Sequence, residues 1–181
     1  MSFHLLSVLV AFALAAGPSL AQSPQPYAGL EGRSIKALSE QQIADLRAGR
    51  GMGLVLAAEL NGYPGPMHVL ELADSLHLSD QQRAKMQELF AAMKAEAIPL
   101  GERLIAQEAD LDKQFANQTI TPASLAASTD AISITHAALR QAHLKYHLST
   151  VEVLTPAQVQ RYAELRGYKE GTQHPQGRHE R

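Results

Sequence analysis

Two stretches of this chain carry a long helical rhythm. From Asp80 to Phe115 the apolar positions Met86, Leu89, Phe90, Met93, Ala97, Leu100, Leu104, Leu111 and Phe115 recur at helical spacing through nearly the whole segment. That spacing marks one face of an α-helix. Pro99 and Gly101 interrupt the stripe without changing its phase. This predicts one helix with a bend and not two separate helices. From about Pro122 to Val153 a second face carries Leu125, Ile132, His136, Leu139, His143, Tyr146 and His147, all within an arc of about 100°. The connection around Thr119-Ile120-Thr121-Pro122 is short, so the two helices are expected to lie side by side and antiparallel.

Polar punctuation marks where the helices start. Leu38-Ser39-Glu40-Gln41-Gln42, Leu78-Ser79-Asp80-Gln81-Gln82 and Leu154-Thr155-Pro156-Ala157-Gln158 repeat one pattern. A Ser or Thr hydroxyl accepts from a free backbone N–H, and the Gln three positions on completes a capping box. Pro156 falls at the first helical position, where its missing N–H costs nothing. The second and third copies bracket the long hairpin. Shorter helices are predicted around it: Ser39 to Leu46 with Ile43 and Leu46 inward, an apolar Leu54 to Leu60, His68 to Leu76, and a last helix from Pro156 that buries Val159, Tyr162 and Leu165 and stops at Gly167. The expected fold is all-α: a long kinked antiparallel helical hairpin with short flanking helices.

Gly49-Arg50-Gly51-Met52-Gly53 is superficially like a phosphate loop, but no strand precedes it and no Gly-Lys-Ser/Thr ends it. A flexible connection between helices is the expectation. Four regions follow. Residues 1–21 read as a cleavable export signal: Leu5 to Ala16 is apolar except for Ser7, and Ser19-Leu20-Ala21 offers a cleavage site. The run is shorter than the roughly 20 residues a membrane span needs. Residues 22–66 form a Pro/Gly-rich extension with short helices, residues 67–168 the helical domain, and residues 169–181 a polar tail expected to be disordered.

Composition narrows the chemistry. There is no cysteine, which excludes thiol catalysis, disulfides and thiolate metal sites. The net charge is −2, unlike a strongly basic nucleic-acid binder. No nucleophile elbow and no His-Glu-x-x-His motif occurs, so no enzyme activity is expected.

The eight histidines are the candidate chemistry. His143 and His147 stand one turn apart on one face, a spacing that suits Zn²⁺, Ni²⁺ or Co²⁺. His136 lies on the same face. In an antiparallel hairpin, position 143 falls near positions 95 to 97, which brings Met93 close. His68 and Glu71 could add ligands if their short helix packs back over the hairpin. The competing reading is that His143 and His147 pack in the core or a dimer interface, with their nitrogens satisfied by carbonyls or water. His174 and His179 belong to the polar tail.

The bracket pattern, repeated at both ends of a long helical hairpin behind an export signal, resembles the Spy/CpxP family, whose wider group includes zinc-resistance-associated proteins and CnrX-type metal sensors. Leu154 to Gln158 matches the family motif at every position, and Leu78 to Gln82 matches with Ser in place of Thr. The resemblance covers residues 68–168. It implies a curved homodimer in the bacterial periplasm that acts as an ATP-independent chaperone or an envelope-stress adaptor. The alternative it implies is a heavy-metal sensor or resistance protein. No cofactor is required on the first reading; a divalent Zn, Ni or Co ion is the cofactor of the second. The expected partners are a second copy of the chain and either unfolded envelope clients or a membrane-bound signalling protein. This chain departs from the Spy pattern in being slightly acidic, and its extension has no counterpart in the resemblance. A further apolar side of the second long helix, Ile134, Ala137, Leu144 and Leu148, is more than a lone hairpin covers.

Overall fold

The structure is a computed structural model that describes residues 25–168. The chain divides into two compact units, Met1–Glu31 and Gly32–Arg181. Of the first, residues 25–31 make two tight turns, with the Ala28 N–H on the Gln25 carbonyl and the Leu30 N–H on the Tyr27 carbonyl, both at 3.1 Å. The expected signal segment 1–21 and tail 169–181 lie outside the described residues.

Among the described residues of the second unit every regular element is helical, apart from an isolated bridge between Ile35 and Leu38. Its elements are α1 (Glu40–Arg47), a 3-10 turn (Met52–Val55), α2 (Leu56–Glu59), α3 (Pro66–Glu71), α4 (Asp80–Ala116), α5 (Pro122–Val153) and α6 (Pro156–Leu165). Every expected cap forms. Ser39, Ser79, Thr121 and Thr155 each close a capping box with the residue three positions on, which satisfies N–H groups that a helix start leaves free. α4 continues through Pro99 as one helix, as the unbroken phase of its stripe requires.

α4 and α5 form the hairpin, and the other elements pack on it. The Tyr146 hydroxyl donates to Glu96 Oε1 at 2.6 Å, and Lys145 Nζ pairs with Glu96 Oε2 at 2.5 Å, fixing their register near the expected one. At the base the two brackets meet. Gln82 Nε2 donates to the Val153 carbonyl at 3.0 Å, and Gln158 Nε2 donates to the Leu76 carbonyl at 3.2 Å.

Two apolar clusters hold the unit together. One joins Val69, Leu76, Met86, Leu154 and Tyr162 at the base. The other sets Ile35, Leu38, Ile43 and Leu46 of the extension against Ala97, Leu104, Ile105 and Leu139 of the hairpin. Each such side chain contributes about 1.5–3 kcal/mol on full burial. Gly101 makes the second cluster possible. A Cβ at this position would lie 2.5 Å from the Leu46 carbonyl oxygen, so only glycine lets the end of α1 rest directly on α4. The interruption of the α4 stripe is a packing notch.

Four local expectations change. Leu165, expected to be buried with Val159 and Tyr162, is 36% exposed. The Leu54 to Leu60 segment splits into a 3-10 turn and α2, with Leu56 and Leu60 52% and 57% exposed and Glu59 buried; these two leucines point outward and the acid inward, while Leu54 packs on the hairpin cluster. The helix after Pro66 ends at Glu71, and residues 72–77 continue as turns, with His77 at φ 51. At the hairpin tip, Phe115 is 53% exposed, since nothing among the described residues of the second unit packs over that end of the stripe.

Candidate functional site

His143 and His147 lie side by side on the inner face of α5, 1% and 2% exposed. The chain from Gly49 to His68 closes over them. A Cβ on Gly51 would come within 3.5 Å of His143 Nδ1, and one on Gly65 within 2.9 Å of His147 Cε1. Under this cover is a cavity of about 50 Å³, lined by His68, His143, His147, Met67, Met93 and the Gly49–Gly51 and Gly65–Pro66 backbone. His143 Nε2 is fully buried and has no hydrogen-bond partner. Burial, and secondarily the neighbouring charge of His147, holds the His143 pKa below its ordinary value, which favours a neutral ring with a free lone pair.

His147 is oriented from behind. Its Nδ1–H donates to the Tyr63 carbonyl at 2.6 Å, and the same nitrogen lies 3.8 Å from Glu59 Oε2. Glu59 is 4% exposed and is the hub of a polar cluster joining four helices. Its Oε1 accepts from the Tyr162 and Tyr168 hydroxyls and lies 3.4 Å from His68 Nδ1, while its Oε2 accepts from the Gly65 N–H at 3.2 Å. Arg166 Nε stands 3.9 Å from Oε1. Burial alone would raise the Glu59 carboxyl. The hydrogen bonds from His68 and Tyr162 and the charges of His68 and His147 outweigh it and hold the carboxyl at about 2. Burial, then the bond to Glu59, drives the Tyr162 hydroxyl far upward, so it stays a donor.

The residues singled out from the sequence therefore separate. His68, Met93, His143 and His147 come together around the cavity. His136 is exposed, further along the α5 face it shares with His143, where its charge acts on Glu108 of α4. Glu71 is exposed and does not line the cavity. Among the described residues no group of three or more His, Asp or Glu side chains is placed to hold a metal ion. Sequence reasoning passed over Glu59, Met67 and the tyrosine hydroxyls. Glu59 had one available signal, as the lone acid in the apolar run Leu54 to Leu60.

The outer face of α5 is a second candidate surface. Ile134, Ala137, Gln141, Leu144, Leu148 and Val151 follow one another in alternating steps of three and four, the spacing of a coiled-coil seam. Ile134 is 71% and Leu148 56% exposed. Val151 leads from this seam into an open groove of about 730 Å³ that it lines with Leu60, Leu154, Val159 and Tyr162.

No helix among the described residues is long and apolar enough to cross a membrane. Comparison with curated proteins and with solved structures gave no match. A protein-family model, the LTXXQ motif family protein, matches residues 66–166, more than half the chain, and spans both brackets and the hairpin between them. That match, over both capped brackets that meet at the hairpin base, makes the chain a member of the LTXXQ motif family, a Spy/CpxP-like periplasmic protein.

Proposed function

We propose that this protein is an ATP-independent periplasmic chaperone or envelope-stress adaptor, exported by residues 1–21 and acting by holding apolar polypeptide. The observation that carries the reading is the α5 seam, with Ile134 and Leu148 largely exposed at coiled-coil spacing. An apolar strip of this kind on a single chain marks an interaction surface. The seam continues through Val151 into the groove beside α6, which gives an extended segment or a helix a longer track. A second copy of the chain suits the same strip when no client is present.

The test is suppression of aggregation of chemically denatured model proteins at stoichiometric amounts, without nucleotide. Wild type is expected to suppress aggregation, and Ile134→Lys/Leu148→Lys to lose most of that effect while keeping its helical content. Absence of suppression across several clients would remove the chaperone reading. Sedimentation of the same pair of proteins reads self-association at the seam independently.

The divalent metal sensor has less support. His143 and His147 adjoin Met93, but His136 and Glu71 lie elsewhere.

A further inference from the structure

The cavity beneath the Gly49–His68 cover does not fit the hard or borderline divalent ions that the histidine spacing suggested. Carboxylates stay out of it. Glu71 is exposed, and the Glu59 oxygens are taken up by Tyr162, Tyr168 and the Gly65 N–H. The donors that remain along its wall are the imidazoles of His143 and His147 and the thioethers of Met67 and Met93, beside the apolar Val55 and Pro66 and the His68 ring, whose Nδ1 is turned to Glu59 Oε1 at 3.4 Å.

Both imidazoles are arranged to accept a ligand. The His147 Nδ1–H is committed to the Tyr63 carbonyl, so in the neutral ring Nε2 carries the lone pair. A backbone carbonyl on the far nitrogen is the usual support of a metal-bound imidazole. Gly65 passes so close that a Cβ there would lie 3.1 Å from this Nε2. His143 Nε2 is buried with no partner at all, a costly state for a polar nitrogen unless something fills it. The space, about 50 Å³, admits one ion or one water and no organic molecule. A water there could donate to the two imidazole nitrogens, but its own lone pairs would face thioethers, which donate nothing. Imidazole with thioether is a soft donor set and selects Cu(I). Arg50 also lines the cavity, but its guanidinium is bonded outward to Asp45 at 2.6 Å. The Glu59 carboxylate behind His147 offsets one positive charge.

We propose that this cavity binds one soft monovalent cation, Cu(I) or its redox-inert analogue Ag(I), through His143 Nε2, His147 Nε2 and the sulfurs of Met67 and Met93. The ion enters and leaves as the monovalent species, so binding involves no electron transfer. The site is separate from the α5 seam and stands or falls independently of client holding.

The test uses the full chain carrying His174→Ala/His179→Ala, which removes the tail histidines as competing ligands. Ag(I) is titrated directly, and Cu(I) anaerobically against a chromophoric chelator. One ion per chain is expected, with affinity lowered on the order of 100-fold in His143→Ala and in Met93→Leu. Glu71→Gln and His136→Ala should bind as the parent does. Met93→Leu conserves volume and carries the test if His143→Ala fails to fold. Sulfur scattering in the copper X-ray absorption spectrum should diminish in Met93→Leu. Equal affinity in the parent, His143→Ala and Met93→Leu, or no binding of either ion, would overturn the proposal. So would tighter binding of Zn²⁺ than of Cu(I) at the same residues.

Discussion

The side-chain amides of Gln82 and Gln158 bond to each other in both directions, Gln82 Nε2 to Gln158 Oε1 at 2.8 Å and Gln158 Nε2 to Gln82 Oε1 at 3.0 Å, across 76 residues of chain. Each Oε1 also accepts the N–H of its own N-cap residue, Ser79 at 3.1 Å and Thr155 at 2.9 Å. With the backbone carbonyls of Val153 and Leu76 as the remaining acceptors, both amides use both donors and share their oxygens between cap and partner. The glutamine of the motif thus caps its own helix and ties that helix to the other end of the hairpin.

This arrangement predicts coupling. Gln82→Ala and Gln158→Ala should each lower stability by about 1–2 kcal/mol. The double variant should fall short of the sum by about 1 kcal/mol. Urea unfolding of the four proteins in the cycle measures it, and strict additivity would show that the two glutamines act only as separate caps.

Gly101→Ala should push α1 off α4, because the new methyl would meet the Leu46 carbonyl. A cost of about 1–3 kcal/mol is expected. Hydrogen exchange should locate it: protection falls around Ile43 and Leu46 and persists around Tyr162 in the base cluster. Uniform loss at both places would mean that the clusters do not behave as separate units.

Glu59→Ala should be among the most damaging single changes, at roughly 3–5 kcal/mol. It leaves the buried Tyr162 hydroxyl and the Gly65 N–H without their acceptor. Glu59→Gln keeps an oxygen for Tyr162 and should cost less. Thermal unfolding of the pair checks the order, and equal losses would mean that the charge matters more than the hydrogen bonds.

Glu108 supplies a pH test with a defined sign. Burial raises its carboxyl above the ordinary value, and the His136 charge offsets only part of that. A carboxyl raised on folding destabilises the native state once the pH exceeds its unfolded value of 4.5, because the folded chain then holds a charge it disfavours. Glu108→Gln should therefore stabilise the protein at neutral pH, by about 0.5 kcal/mol for this partly exposed site. The advantage should vanish as the pH falls below 4.5. An advantage that persists in acid would trace to packing and not to charge.

Much of the fold was legible in local signals. Capping boxes at Ser39, Ser79, Thr121 and Thr155 and the unbroken phase across Pro99 are properties of neighbouring residues, and they set the helix starts and the hairpin. Contacts distant in sequence left weaker traces. Nothing local says that Gln82 faces Gln158, although a motif repeated at both ends of an antiparallel hairpin must come together at its base. The site was half legible for the same reason. His143 and His147 share a helix, so their pairing follows from spacing, and the antiparallel register brings Met93 to them. Glu59 reaches His147 only because the extension folds back, and an apolar run around a single acid gives no hint of which side of the helix will be buried. His136 shares the face of His143 on a helical wheel, yet lies beyond the part of α5 that the cover reaches.

The segment matched by the family and the segment that folds are not the same length of chain. Half of one apolar cluster, from Ile35 to Leu46, precedes residue 66, and so does the carboxylate that Tyr162 and His68 share. A gene cut at the family boundary would produce a hairpin with Ala97, Leu104 and Leu139 bare to solvent and an orphaned tyrosine at its base. For this protein the family boundary is a poor place to truncate, and comparisons of its stability with shorter relatives should count the extension as part of the fold.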